Sequence, residues 1–257
     1  MPNSTMRVSR KWFSLLLLPA LGGCTSGQFF DPNDPTFGSV ASPRQLQIAV
    51  AGIYDNLEFR RANREISREF LQQELVRRTS KFAKTIDLSG VAPEDAWRVG
   101  EVLRTALMWK DAERMYATAA RVARTTDRRV NDTLRHAQCL AALGKVAEAV
   151  KQARSVMDVG PEDKAPILPA VLLEIVPAGR GKGSDKALAD LLVAAMDQHF
   201  QTRVDPATEP GKAFLVARKY HIRNSIELAS RLYRAAGQPK LAATIERDYY
   251  ARLRAIQ

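Results

Sequence analysis

The chain has 257 residues, of which 46% are hydrophobic and 26% charged, enough apolar material for a buried core. Its 14 glycines, 13 prolines and 2 cysteines exclude a low-complexity, collagen-like or disulfide-rich protein. The net charge of +11 favours anionic neighbours such as lipid headgroups or acidic protein surfaces.

The first element is the stretch MRVSRKWFSLLLLPALGGC. Arg7, Arg10 and Lys11 precede an apolar run from Trp12 to Leu21. That run has about ten residues where a spanning helix needs roughly 20, so it reads as an export signal over 1–23. The three leading cations account for part of the charge; 36 Lys and Arg then face 28 Asp and Glu, leaving +8. The end of the signal, Leu21-Gly22-Gly23-Cys24, resembles the lipobox of bacterial lipoproteins. The resemblance implies cleavage between Gly23 and Cys24 and a mature N-terminus at Cys24 carrying diacylglycerol and an acyl chain. It also implies anchoring in the bacterial cell envelope, and Thr25 in place of an aspartate favours the outer membrane. With Cys24 acylated, Cys139 has no partner for a disulfide, and its setting in HAQCLAAL reads as a core thiol.

Residues 24–42 mix Pro, Gly, Ser and Asp and read as a flexible tether. Ser42-Pro43 then has the form of a helix start, with serine as N-cap and proline at the first helical position. From there to residue 257 the chain reads as one all-α domain. Leu46, Val50, Ile53, Tyr54 and Leu57 recur at helical spacing, as do Ile66, Phe70, Leu71, Leu75, Phe82 and Ile86. No stretch alternates apolar and polar residues as a half-buried strand would. Glu65, Glu69 and Glu74, interleaved with Arg61, Arg64, Arg68 and Arg77, read as a solvated helix face with i,i+4 pairs.

The segment RHAQCLAALGKVAEAVKQARSVMDVGP resembles the tetratricopeptide repeat, a helical hairpin of about 34 residues. Ala137 and Ala149 occupy the small positions of its two helices, Leu140 the large apolar one, Gly144 the turn and Pro161 the end. A second match sets Ala112 after Gly100 and Leu103 and before Tyr116 and Ala119, with Arg124 where the closing proline is expected. A third has Ser230, Tyr233, Gly237 and Ala242, with an unusual Pro239. The units cover 93–126, 130–163 and 223–256. Between them, ILPAVLLEIV and SDKALADLLVAAMDQHF read as two apolar helices joined by a loop, Ser184 capping the second. The resemblance implies antiparallel hairpins stacked as a short solenoid whose first helices line a groove. Mapped onto this chain, the groove residues are Trp97, Glu101 and Arg104 in one unit and Asn131, Arg135 and Gln138 in the next. Such a polar, partly basic row suits an acidic or carboxylate-bearing segment of a partner protein.

A different resemblance covers only the N-terminal end. FFDPNDPTFGSVASPRQLQIAVAGIYDNL is similar to the start of SusD-like outer-membrane glycan-binding lipoproteins, in its A-x-x-G-x-Y pattern at Ala49, Gly52 and Tyr54. It implies nutrient binding as the alternative function, although the chain is about half the length of those proteins.

Signals of catalysis are poor. His136, His199 and His221 show no metal-ligand spacing, and no metal is expected. GRGKGSDK at 179–186 lacks the phosphate-loop spacing, and no G-x-S-x-G occurs. Arginine-rich stretches such as RVARTTDRR are mixed with acids, and an exported chain does not meet nucleic acid. The expectation is a lipid-anchored envelope scaffold without enzyme activity or cofactor, held to the membrane by its lipid and binding a protein or peptide.

Overall fold

Ser42 starts the first long helix as its sequence requires. In the computed structural model its side chain accepts from the Gln45 backbone, while Gln45 Oε1 accepts from the Ser42 N–H at 2.8 Å, a reciprocal capping box. The structure describes residues 31, 32, 34, 36–157 and 167–255; the signal, Gly23, Cys24 and Pro161 lie outside them. A single compact unit begins at Asp31. Within the described residues every regular element is helical, and no helix is long and apolar enough to cross a membrane.

The compact unit starts earlier than the expected boundary at 43. A one-turn helix α1 (Phe37–Val40) sits inside the stretch read as tether, because Phe37 is buried with its ring edge-on to Phe82 at 5.2 Å. An aromatic anchor outweighed the Pro and Gly around it. Helices α2 (Pro43–Ala62) and α3 (Arg68–Ala83) follow, the second capped by the Ser67 hydroxyl. On their outer faces Glu58 pairs with Arg61, and Glu74 with Arg77 and Arg78. These two guanidinium hydrogen bonds pull the Glu74 carboxyl down to about 2.

A 3₁₀ turn (Pro93–Asp95) leads into α4 (Ala96–Thr105), which packs against α5 (Trp109–Val122). Helix α6 (Thr126–Ala142) packs in turn on α7 (Val146–Arg154). Both hairpins bury the small residues of their sequence pattern, Ala112, Ala137 and Ala149 completely. At Gly100 the close approach goes further: an added Cβ would lie 3.2 Å from three atoms of the buried Tyr116 ring.

The turn of each hairpin closes in the same way. In the second, Gly144 takes φ +80°, its N–H donating to Ala141 O and that of Lys145 to Leu140 O at 2.9 Å, a Schellman cap. The first hairpin repeats both bonds, from Leu107 to Arg104 O and from Met108 to Leu103 O, but with a leucine at φ +58°. The left-handed region costs an L-residue with a bulky side chain roughly 1–2 kcal/mol. Leu107 is half exposed, so it has little packing to lose. Leu107→Gly is expected to raise stability by about 1 kcal/mol in urea denaturation, against the usual trend for a leucine-to-glycine change.

Beyond the undescribed residues 158–166, the chain continues as one irregular helix. Helix α8 (Leu168–Ala170) passes into a π-helical turn (Val171–Ile175) and then α9 (Val176–Gly179). Pro177 accounts for the widening: it cannot donate to the carbonyl four residues back and its ring crowds that oxygen. The helix therefore runs past Val176, the end expected from the sequence. Helix α10 (Asp185–Gln201) begins at Ser184 without the expected serine cap. Asp185 takes over locally, its Oδ1 accepting from the Gly181 N–H at 2.9 Å.

Helices α11 (Glu209–Ala235) and α12 (Pro239–Ala255) form the last hairpin, with Gly237 at φ +73° repeating the Schellman cap. Pro239, unusual for the repeat pattern, sits at the first helical position, where its missing N–H costs nothing. The main apolar core runs from α6 to α12 and contains Leu188, Leu191, Leu192, Ile222, Ile226 and Ala242. Cys139 belongs to the interior, and burial pushes its thiol up to about 12.

Candidate functional site

The expected groove residues lie at helical spacing on α4 and α6, so each set must share one face of its helix. In the fold those two faces converge, and α2 supplies a third wall. Between the three helices is an open cleft of about 650 Å³. Trp97, Glu101 and Arg104 line it from α4, and Asn131 and Arg135 from α6. Gln138, the sixth, is buried below the rim, where its Oε1 accepts from Arg104 Nη1 at 3.4 Å.

Glu101 is the centre of the floor. The Tyr116 hydroxyl, reaching across from α5, donates to Glu101 Oε2 at 2.7 Å, and the Arg104 guanidinium closes on the same carboxylate. Burial pushes the Glu101 carboxyl up, but Arg104 and Tyr116 outweigh it, and the group stays below the ordinary carboxylate range. Arg135 pairs with Glu174, which the π-helical turn carries toward α6. Burial, followed by the charge of Arg104, lowers the Arg135 pKa.

The charges are therefore arranged differently from the sequence expectation. A sequence shows Arg104 and Arg135 as free forks for an acidic ligand; in the fold both already hold a carboxylate. Further polar and aromatic residues that the repeat pattern did not select line the site, among them Arg128 and Asp132 from α6, and Gln47, Tyr54 and Asp55 from α2. Arg128 holds Asp132 through two nitrogens at 2.9 and 2.6 Å and lies 3.6 Å from the Trp97 ring centroid. Their positions, four apart and in register with Asn131 and Arg135, were the available signal. Tyr54, 44% exposed, enters from α2 together with Gln47 and Asp55. No local pattern places α2 against α4.

The cleft thus carries the exposed Tyr54 ring, a Trp97 ring covered by Arg128, three guanidinium–carboxylate pairs and amide groups. Gln47 and Asn131 make no side-chain hydrogen bond among the described residues, so both are free to meet a ligand's backbone groups. Among the residues that line the cleft, Arg104, Arg128 and Arg135 equal Glu101, Asp132 and Asp55 in formal charge. No family model matches this chain, and no curated protein or solved structure matches it.

The three histidines do not gather into a site, and no group of three or more metal-ligating side chains forms among the described residues. His136 Nε2 lies 2.9 Å from Glu113 Oε1. His199 is buried against Phe214 and His221, and neither of its ring nitrogens has a hydrogen-bond partner among the described residues. Burial, then the nearby charges of His221 and Arg218, lowers its pKa from 6.5 to about 4. The unfolded chain takes up this proton as pH falls through 6.5, whereas the folded chain refuses it until about 4. The contribution is therefore present at neutral pH and lost over that interval. Between pH 7 and pH 5 it amounts to roughly 2 kcal/mol. His199→Leu is expected to lose less stability over the same range, measured by urea denaturation at both pH values; parallel losses would exclude the buried neutral imidazole.

Proposed function

We propose that this chain is a lipid-anchored scaffold of the bacterial cell envelope that binds a protein or peptide segment in the cleft between α2, α4 and α6. One observation carries the reading. Residues 97, 101, 104, 131 and 135, selected by a repeat pattern, line a single open cleft with room for a chain segment. Forks, amides and aromatic rings recognise a peptide's side chains and backbone at once. The repeated turn at residues 107, 144 and 237 supports a tetratricopeptide-like stack of hairpins. The lipobox-like Leu21-Gly22-Gly23-Cys24 supports the anchor, and Thr25 the outer membrane. We prefer a peptide to a glycan because Arg128 covers a face of Trp97 that a sugar ring would need.

The paired arginines determine how the reading is tested. Alanine at 104 or 135 would strand a carboxylate and confound binding with folding. Lysine keeps the charge but removes the planar fork. The double variant Arg104→Lys, Arg135→Lys is expected to weaken capture of envelope proteins crosslinked in cells by about tenfold or more, with unchanged circular dichroism. Capture equal to wild type would move the binding surface away from this cleft.

A further inference from the structure

A second surface lies apart from the cleft, on the first half of α11. Lys212, Leu215, Val216, Lys219, Tyr220 and Arg223 recur at intervals of three and four, so they form one stripe along the helix. All are exposed, Val216 at 80% and Tyr220 at 63%. Lys219 and Arg223 also border a shallow depression of about 160 Å³ shared with Tyr250, Leu253 and Arg254 of α12. Lys219, Arg223 and Arg254 make no ion pair among the described residues. Of the neighbouring acids, Glu209 is held by Lys212, and Glu227, one turn beyond Arg223, closes the stripe at its end without an ion pair to Arg223.

Leu215, Val216 and Tyr220 together form an exposed apolar strip beside the unpaired cations Lys219 and Arg223, and a contiguous strip of this kind marks an interaction surface where a single exposed side chain would not. The depression that Lys219 and Arg223 border is small, and Leu215, Val216 and Tyr220 do not line it, so the apolar strip is not the wall of a pocket that would seat a partner's anchoring side chain. Lysine and arginine on long stems, flanked by Leu, Val and Tyr, are instead the composition of a helix lying in a lipid headgroup layer. The cations meet phosphates, the aliphatic groups enter the acyl boundary, and the tyrosine bridges the two. We propose that this face of α11, with Arg254 of α12, docks on an anionic phospholipid surface. The assignment does not depend on the cleft or on the lipid at Cys24.

The test uses the full chain carrying Cys24→Ser, so that no acyl chain contributes, and sedimentation with phosphatidylcholine vesicles with or without phosphatidylglycerol. The chain is expected to bind the anionic vesicles and to release with salt. Lys219→Gln with Arg223→Gln should weaken that binding roughly 30-fold. Val216→Ser with Tyr220→Ser should weaken it while leaving the salt dependence in place. Both variants keep the same leader, so its contribution cancels, and circular dichroism checks folding. Equal binding to both vesicles, or a Lys219/Arg223 variant that binds like wild type, would overturn the proposal. So would unchanged vesicle binding alongside loss of an acidic envelope protein, which would assign the face to a protein.

Discussion

Ala149→Glu is expected to unfold the α6–α7 hairpin. Ala149 is fully buried in the same apolar core cluster as Ala137, Leu140, Val146 and Ala153, with no space for a carboxylate. An unpaired charge buried there costs about 3–5 kcal/mol, a large share of the total stability of a domain. The effect is not a general penalty for acid on this helix. Lys151, two residues on, is exposed, and Lys151→Glu should change stability by less than about 0.5 kcal/mol. Urea denaturation of the two variants side by side separates them. Equal losses would mean that the hairpin is not packed in this register.

The second large effect falls on the cleft floor. Tyr116 is 1% exposed, fills the space left by Gly100 and ties Glu101 down through its hydroxyl. Tyr116→Ala removes a buried aromatic side chain and should cost about 3–5 kcal/mol. Tyr116→Phe keeps the ring on Gly100 and loses only the donor, which should cost about 1–2 kcal/mol. Comparing their melting curves divides packing from hydrogen bonding. If the phenylalanine variant loses as much as alanine, the hydroxyl rather than the ring holds α4 to α5.

What was legible in the sequence has local causes. Ser42 and Gln45 cap a helix because they stand three apart, and Gly144 turns because only its backbone suits φ +80° cheaply. Ala137 and Ala149 report close helix approach because nothing larger fits. The site was legible to the extent that helical spacing sets residues on one face, which held for Trp97, Glu101, Arg104, Asn131 and Arg135. The remainder depends on partners distant in the chain. Arg135 meets Glu174 across 39 positions, on a π-helical turn that no local pattern sets against α6. Tyr54 reaches the cleft only because α2 packs on α4. Leu107 occupies a glycine's conformation with no mark in its neighbours, since the cost is absorbed by the hairpin around it. The turn at Phe37 was hidden by the prolines and glycines beside it.

The central claim is that the α2–α4–α6 cleft is where this chain meets its partner. The most direct measurement places a photoreactive residue at Asn131, exposed on the cleft wall, and another at Lys151, exposed on α7 and not among the cleft-lining residues. Both full-length variants are then irradiated in intact cells. The account predicts a discrete crosslinked protein at 131 that is absent at 151 and is lost when Arg104→Lys and Arg135→Lys are added. A crosslink at 151 alone, or one at 131 that survives the two lysines, would contradict it.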